Sequence, residues 1–285
     1  MIYSMTGYGK SVLQLPTKKI TIELKSLNSK SLDLNARMPS IYREKELIIR
    51  KLLADKLVRG KVDFSIYVEA TADDTSTQIN TPVVKQYMKQ LREVVNSDDL
   101  ELLKMAVRFP DALNTVREEI DETEWQAIEK EIDKAITELN NYRLNEGKVL
   151  ELDFNNRVVE ISNILDDIII MDPERVVGVR ERLLKGVQDL KEKYDENRFE
   201  QELVYYIEKF DITEEKVRLK NHLNYFTESI NSKDSNGKKL GFIGQEMGRE
   251  INTIGSKSNY APMQQLVVQM KDELEKIKEQ LLNVL

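Results

Sequence analysis

The chain has 285 residues, of which 40% are hydrophobic and 33% are charged, a composition typical of a helix-rich globular protein and not of a disordered one. It contains no cysteine, so disulfides, thiolate metal sites and thiol nucleophiles are excluded, and a reducing compartment is compatible with the sequence. The formal net charge of -7 argues against a nucleic-acid binder whose charge is spread evenly.

The charge is distributed unevenly along the chain. Residues 1–70 contain 13 Lys/Arg and 7 Asp/Glu, so a basic N-terminal region precedes an acidic body. This pattern permits contact with RNA without requiring it, and a solvated mixed-charge surface is an equally weighted alternative. No segment approaches the roughly 18 apolar residues of a membrane span, and the N-terminus lacks a signal-peptide pattern. We therefore expect a cytoplasmic protein with no membrane partner.

The N-terminal region carries the signal for strands. Apolar and polar residues alternate at 20–24, 32–34 and 62–68, which predicts three strands. Between the second and third, a helical stretch begins near Pro39 and ends near Gly60. We expect an antiparallel sheet with one crossing helix, and hence the α+β fold class.

The polar stretch 71–77 breaks this pattern and precedes a long tract that is predicted to be helical throughout. Asp172-Pro173 predicts a helix boundary within that tract. The last helix, from Pro262, has apolar residues seven apart on two seams, typical of an oligomerisation helix or, with equal weight, of a core helix. We divide the chain into an N-terminal α+β and helical region (1–155), a helical connector (156–200) and a C-terminal helical domain (201–285).

Two predicted helices between 211 and 257 have unusual polar faces. On the first, Asp211, Glu214, Glu215, Arg218 and His222 fall within an arc of about 100°, and His222 is the only histidine of the chain. Ion pairs at such spacings are more often solvated salt bridges than active sites. The convergence of several such residues is what singles out this face.

On the second helix, Glu246 and Arg249 lie opposite an apolar stripe and Glu250 lies beside them. If the two helices pack as a hairpin, we expect their polar faces to border one shared groove. Its carboxylates and imidazole suit a divalent cation that activates water, while Arg orients a phosphate. The alternative is attack by the RNA 2′-hydroxyl with His222 as base or acid. The number of carboxylates favours the metal route.

Residues 237–258, GKKLGFIGQEMGREINTIGSKS, closely resemble the C-terminal signature of the YicC/YloC family. The resemblance extends nearly end to end, through 4–9 (SMTGYG), 26–28 (SLN), 37–39 (RMP), 59–62 (RGKV), Arg143 with Glu146 and Gly147, and the 211–223 segment. Three positions depart from the pattern: Gly248 stands where Asn is expected, and Lys30 and a lysine at 238 or 239 stand where Arg is expected.

The resemblance implies an endoribonuclease that cuts RNA with a divalent cation, Mn²⁺ or Mg²⁺, and assembles as a homo-oligomer, a hexamer, with no DNA substrate expected. The polar faces motivate the following roles: His222, Glu246 and Glu250 as catalytic residues, Glu214, Glu215, Glu246 and Glu250 as the pool of metal ligands, and Arg218, Lys238, Arg249 and Lys257 as phosphate contacts. Two alternatives stay open: a non-catalytic RNA-binding or structural assembly protein, and a metal-independent ribonuclease.

Overall fold

The computed structural model describes residues 2–70, 77–95, 97–115, 120–189, 195–232 and 237–285. The strands in these ranges are β1 Gly7–Gln14, β2 Lys18–Leu27, β3 Leu32–Arg37, β4 Gly60–Ala70, β5 Thr77–Ile79 and β6 Leu113–Thr115. The helices are α1 Glu46–Lys56, α2 Thr81–Val94, α3 Asp99–Ala106, α4 Glu122–Asp189, α5 Glu196–Lys209, α6 Thr213–Asn231, α7 Gly237–Lys257 and α8 Ala261–Leu281. The α+β fold class is confirmed. Within the described ranges, no helix has both the length and the apolar character needed to cross a membrane.

The main sheet has four strands in the order β1-β2-β4-β3. β2 is antiparallel to both of its neighbours, as expected, whereas β3 runs parallel to β4. The expectation of a fully antiparallel sheet is therefore wrong for this pair. The chain leaves β3 through a 3-10 turn at Ser40–Lys45 and α1 before it enters β4, and a crossover of this kind brings the chain back in the same direction.

Helices cover one face of this sheet. Ile22 of β2 and Phe64 of β4 are fully buried and share a core with Leu53 of α1 and with Ile128 and Leu139 of α4. Successive residues of a strand point to opposite faces. The sheet thus lies with one face on the first part of α4, and no described element covers its other face.

Residues 77–115 form a small layer of their own. β5 and β6 pair antiparallel, and α2 and α3 contribute to a minor core that includes Val84, Ala106 and Ala112. The prediction of uniform helix after the polar stretch is wrong here, because strands of three residues are too short to show an alternating pattern. Residues 71–76 of that polar stretch lie outside the described residues.

α4 is a single helix of 68 residues that continues through Pro173, so the boundary predicted at Asp172-Pro173 is wrong. A proline inside a helix costs about 3 kcal/mol. The carboxylate of Asp172 is buried and accepts hydrogen bonds from Arg175 Nε and Lys216 Nζ, both at 2.8 Å. These contacts hold α4 against α6 beside the proline and offset its cost.

The second part of α4 forms the other core together with α6, α7 and α8. The apolar stripes predicted for the two polar-faced helices are confirmed: Leu219 and Phe226 of α6 and Met247 and Ile251 of α7 have 0% exposure. Both seams of α8 are also buried within the chain itself. Of the two roles left open for α8, the structure therefore supports core packing. The predicted domain limit near residue 155 falls inside α4 and stays a prediction.

The two lobes meet where the first and last described residues lie side by side. Met5 N donates to the carbonyl of Asn283 and Leu285 N donates to the carbonyl of Tyr3, both at 2.8 Å. Gly147 of α4 lies directly beneath this ladder. The start of the sheet lobe is thereby joined to the end of the helical lobe.

Arg143 of α4 is buried at the same junction, with 1% of its surface exposed. Its guanidinium donates to Ser26 Oγ at 2.6 Å and to the carbonyl oxygens of Arg59 at 3.2 Å and Met5 at 3.4 Å. Burial lowers the pKa of Arg143, and no carboxylate in the described ranges pairs with it. Neutral oxygens from three separate segments thus accept from Nη2, while Nε is buried without a hydrogen-bond partner in the described chain.

We expect Gly147→Ala to lower the free energy of unfolding by about 2–3 kcal/mol. A Cβ at this position would lie 2.7 Å from the carbonyl carbon of Ile2, and closer still to its oxygen, so the N-terminal segment would have to leave α4. Urea unfolding followed by circular dichroism measures the change.

Gly178→Ala in the same helix is the matched control. Nothing lies within 4 Å of the Cβ position of Gly178, so this substitution should raise stability by up to about 1 kcal/mol through helix propensity. Equal stability of Gly147→Ala and the wild type would contradict the close approach at the junction.

Candidate functional site

α6 and α7 form the hairpin predicted from the sequence. Lys257 at the end of α7 contacts Glu215 near the start of α6, with 2.7 Å between Nζ and Oε1, so the two helices are antiparallel. Their apolar sides pack together and against α8. The polar residues are therefore left at the edges of the hairpin and on its outer surface.

An open groove of about 560 Å³ lies between α7 and α8. It is lined by Gln245, Gly248, Arg249, Asn252, Thr253 and Ser256 of α7 and by Lys278 of α8. This groove lies on the side of α7 that faces α8, and the groove expected between α6 and α7 stays a prediction. Of the residues assigned to the expected groove, Arg249 alone lines the observed one.

Gly248, which departs from the family pattern, forms part of the groove. A Cβ at this position would lie 3.2 Å from Leu274 Cδ2 and 3.4 Å from Lys278 Nζ. Any side chain would therefore push against α8 and occupy the groove. The glycine lowers helix propensity by about 1 kcal/mol relative to alanine. Because it has no side chain, α8 can pack close to α7.

Two of the predicted acid–base pairs are exposed salt bridges within one helix. Glu214 pairs with Arg218 across one turn of α6, and Glu246 pairs with Arg249 at 2.8 Å in α7. The side chain of Arg249 is 71% exposed. Pairs of this kind are worth well under about 1 kcal/mol, so their members exchange partners easily.

Glu215 and Lys257 instead form a buried clamp. The side chain of Glu215 is 6% exposed and its Oε1 binds Lys257 Nζ at 2.7 Å. Lys257 also donates to the carbonyl of Asp211 at 3.0 Å, and Glu215 Oε2 has no hydrogen-bond partner in the described chain. The predicted metal ligand and the predicted phosphate contact thus bind each other and join the start of α6 to the end of α7.

Three further predicted residues have no such partner. Glu250 is 5% exposed, and its carboxylate has no hydrogen bond or ion pair with any described residue. His222 is half-buried on α6, and Lys238 is exposed in the first turn of α7. Glu250 is therefore the one predicted carboxylate that is both buried and unpaired in the described ranges.

The carboxylates of one chain do not fit a preformed divalent-metal site. Among the described residues, no three His, Asp or Glu side chains are grouped so that they could hold a metal ion. Glu214, Glu215 and Glu246 each bind a cationic side chain instead. The predicted set of metal ligands stays a prediction.

The turn before α6 holds a carboxylate whose pKa is shifted. The backbone N–H and the hydroxyl of Thr213 donate to Asp211 Oδ1 at 3.0 and 2.7 Å, and these bonds lower the pKa of Asp211 below its usual value. A lowered pKa stabilises the fold above the unfolded-state value, and this contribution is lost as the pH falls through the folded-state value. The start of α6 is thus secured at neutral pH.

Sequence reasoning missed Lys278, which lines the groove, and the buried Asp172–Lys216 pair beside α6. Lys278 lies on α8, which showed only a stripe of apolar residues in the sequence. Asp172 and Lys216 are 44 positions apart. No local pattern relates such residues, so nothing in the sequence could have indicated either contact.

Comparison with known proteins identifies similar sequences over the whole chain. The family profile described as "Endoribonuclease YicC-like, N-terminal region" matches residues 2–152, and the one described as "Endoribonuclease YicC-like, C-terminal" matches residues 168–285. The chain is 34% identical to the "Probable endoribonuclease YicC" of Clostridioides difficile and 28% identical to the protein of the same name from Haemophilus influenzae. Each comparison covers 100% of both proteins.

We expect Lys257→Ala to lower the free energy of unfolding by about 3 kcal/mol, because it leaves the buried carboxylate of Glu215 without its partner. The double variant Glu215→Gln/Lys257→Ala removes both charges and should recover most of this loss. Arg218→Ala, which breaks an exposed pair, is the control and should cost less than about 1 kcal/mol. The free energy of unfolding is measured with urea. If Lys257→Ala loses no more of it than Arg218→Ala does, the Glu215–Lys257 clamp does not stabilise the fold.

Proposed function

The chain belongs to the YicC-like endoribonuclease family, and on this premise we propose that it cleaves the phosphodiester bonds of RNA. Both relatives are named probable endoribonucleases. The observation that carries the proposal is the groove between α7 and α8, since six of the seven residues that line it lie within the signature segment 237–258. We further propose that the protein acts in the cytoplasm and on RNA rather than DNA.

Two cations border this groove and suit a phosphate. The guanidinium of Arg249 bonds to Glu246 through Nη1 and keeps further donors, which can hold a phosphate in a bidentate manner. Lys278 Nζ binds Glu275 at 2.7 Å. Because both ion pairs are solvent-exposed and weak, a polyanion competes with their carboxylates at little cost.

Hydroxyl groups that line the same groove suit a ribose. Thr253 Oγ1 donates to the carbonyl of Arg249 at 3.0 Å, and Ser256 Oγ donates to the carbonyl of Thr253 at 2.9 Å. With their protons engaged inside the helix, both oxygens keep lone pairs that accept hydrogen bonds. The ribose 2′-hydroxyl is a donor that DNA lacks. This lining therefore favours RNA.

We assign proton transfer to Glu250 and His222, with Glu246 beside the phosphate-binding Arg249. Glu250 is buried and has no partner in the described ranges, so no other side chain there competes with a substrate for its carboxylate. The imidazole of His222 can donate or accept a proton, as general acid–base catalysis requires. In the metal-free alternative, His222 would take the proton of the attacking 2′-hydroxyl.

The divalent cation, Mn²⁺ or Mg²⁺, remains part of the proposal through the family resemblance. When bound, such a cation supplies a Lewis acid that activates water and neutralises phosphate charge. Among the described residues the carboxylates do not form its site, so no step is assigned to it. A complete ligand set would require carboxylates from a second chain or the release of Glu214, Glu215 or Glu246 from its cationic partner.

A non-catalytic RNA-binding or structural assembly protein is the rival proposal. The exposed Glu214–Arg218 and Glu246–Arg249 pairs favour it, because solvated salt bridges need no catalytic role. Both this rival and the catalytic proposal expect the protein to bind RNA. Only the catalytic proposal expects the purified protein to cut it.

We also propose that the protein is a homo-oligomer, a hexamer as the resemblance implies, and that α5 contributes to the contact between copies. Val204 and Tyr205 are 53% and 58% exposed, and Tyr206 and Ile207 are each 37% exposed. Leu203 is the buried residue of this helix. A helix of 14 residues is marginal in water without packing. A second copy of the chain would supply that packing.

Arg249→Ala is expected to lower kcat/KM for cleavage of an end-labelled single-stranded RNA by about 10- to 100-fold, since a charge-assisted bond to the phosphate is lost. Arg182→Ala, which removes an exposed arginine of α4, is the control and should retain wild-type rates. The assay is run with chelator, with Mg²⁺ and with Mn²⁺, and includes Glu250→Gln and His222→Ala.

The pattern of results separates the routes. Cutting that requires a cation and is lost in Glu250→Gln supports the metal route. Cutting in chelator that is lost in His222→Ala and leaves 2′,3′-cyclic phosphate ends supports attack by the 2′-hydroxyl. A folded wild type that binds RNA but cuts it under none of these conditions would leave the RNA-binding alternative.

Tyr205→Glu should shift the protein towards smaller species in sedimentation velocity, because a charge placed in an apolar contact opposes burial. Val94→Glu, at an 85% exposed position at the end of α2, is the control and should sediment as the wild type. An unchanged sedimentation coefficient for Tyr205→Glu would place the contact between copies elsewhere.

A further inference from the structure

The uncovered face of the main sheet carries aromatic and basic side chains. Tyr8 of β1 and Tyr67 of β4 are 38% and 51% exposed. Lys25 of β2 and Lys61 of β4 are exposed on the same face, and Lys25 Nζ lies 5.9 Å from the centre of the Tyr8 ring. No element in the described ranges packs against this face. Open sheets with exposed aromatic rings and cations are a common platform for single-stranded nucleic acids.

Three of the four acidic side chains of this face are engaged within the sheet, whereas Asp33 of β3, opposite Lys61 in the strand register, is exposed and has no partner in the described ranges. Glu23 accepts from Lys10 at 3.1 Å and from the hydroxyl of Tyr8 at 3.3 Å. Asp63 accepts from Asn35 at 2.8 Å and Glu69 pairs with Lys19 at 3.6 Å.

By contrast, Lys61 and Arg37 form no ion pair with any residue in the described ranges. The face carries five cations against these four carboxylates, and Arg37 and Lys61 are the charges on it that suit the phosphates of a polyanion.

The two tyrosines are spaced along a diagonal of the sheet. In the strand register, Val12, Thr21 and Tyr67 lie opposite one another, and Tyr8 precedes Val12 by four residues on β1. With strands about 4.8 Å apart and about 3.4 Å per residue, the two tyrosines are on the order of 16 Å apart. A few nucleotides of an extended single strand span this distance, so both rings can stack on bases of one strand.

A continuous surface connects this face to the groove between α7 and α8. Asn28, after β2, donates to the carbonyl of Leu282 at 2.5 Å, and Arg59, before β4, donates to that of Val284 at 2.7 Å. The Cβ position of Gly237, the first residue of α7, is 3.4 Å from Arg59 Nη2. The end of the sheet at Arg59 therefore lies beside the start of α7.

From there the exposed stripe of α7 leads along the helix into the groove. Its members are Lys238, Phe242, Gln245, Arg249, Asn252 and Ser256. These positions recur every three to four residues and so share one side of the helix.

We propose that the open face of the sheet is a second RNA-binding surface, which holds single-stranded RNA by stacking on Tyr8 and Tyr67 and by phosphate contacts to Lys25, Lys61 and Arg37. This proposal rests on the proposed function, because it takes the RNA that enters the groove as its ligand. The surface would bind nucleotides that lie beyond the cutting site and so favour longer RNA. The number of lysines argues against a second copy as the occupant, since lysine is depleted from protein–protein interfaces.

The test is the affinity of Tyr67→Ala/Lys61→Ala for a fluorescently labelled single-stranded RNA of about 25 nucleotides, longer than one such platform covers. Fluorescence anisotropy is measured in chelator over a series of salt concentrations, and RNA integrity is checked on a gel. The dissociation constant should rise by about tenfold through the loss of one stacked base, and the salt dependence should weaken by about one phosphate contact.

Tyr142→Ala/Lys148→Ala is the matched control. Both residues are exposed on α4, which covers the opposite face of the sheet, so the dissociation constant should stay at the wild-type value. An unchanged affinity in Tyr67→Ala/Lys61→Ala, or an equal loss in the control, would overturn the proposal. A change in the sedimentation coefficient of Tyr67→Ala/Lys61→Ala would also overturn it, since the face would then be a contact between copies. If the wild type binds RNA but does not cut it, the proposed nuclease function is wrong and the proposed RNA-binding surface still stands.

Discussion

The charge of Arg143 is buried at the meeting point of the two lobes, and the fold has to satisfy it without a carboxylate in the described chain. Ser26 Oγ and the carbonyl oxygens of Met5 and Arg59 accept hydrogen bonds from its Nη2, whereas its Nε has no partner in the described chain. An uncompensated buried charge costs several kcal/mol, so three segments that are far apart in sequence must be in place together. Three stretches of the family resemblance, 4–9, 26–28 and 59–62, meet Arg143 at this point. The sheet, the end of α8 and the start of α7 are thereby held in one arrangement.

α4 extends this constraint from the junction to both cores. Its first part supports the sheet, and its second part packs with the three C-terminal helices. Because the helix is unbroken between Leu139 in the first core and Phe154 in the second, the two lobes are joined by regular helix and not by a flexible linker. The Asp172–Lys216 ion pair beside Pro173 also holds α6. The position of the groove relative to the sheet thus follows from this helix together with the contacts at the junction.

The charged residues of the C-terminal helices separate into three groups by their surroundings. Glu214 and Arg218 are exposed partners, Glu215 and Lys257 are a buried clamp, and Arg249 faces an open groove. The same residue types at the same helical spacing therefore differ in their availability to a ligand. Exposed and groove-lining cations can exchange a carboxylate for a phosphate at little cost, whereas the clamp would leave a buried charge behind. RNA contacts are accordingly proposed for the groove, with proton transfer assigned to the unpaired Glu250 and to His222.

The sequence alone determined β2, β3 and β4, the apolar stripes of α6, α7 and α8 and the family, because periodicity and signature segments are local properties of the chain. Tertiary structure decided the contacts between residues that are far apart in the sequence, which periodicity cannot predict. It made β3 parallel to β4 by a crossover, carried α4 through Pro173 by a contact with Lys216, and placed the groove beside α8 with Lys278 in its wall. It also decided which carboxylates are neutralised, because each pairing depends on which helix edges approach one another. Helical spacing fixes the face on which a residue lies, and the packing of that face fixes what the residue binds.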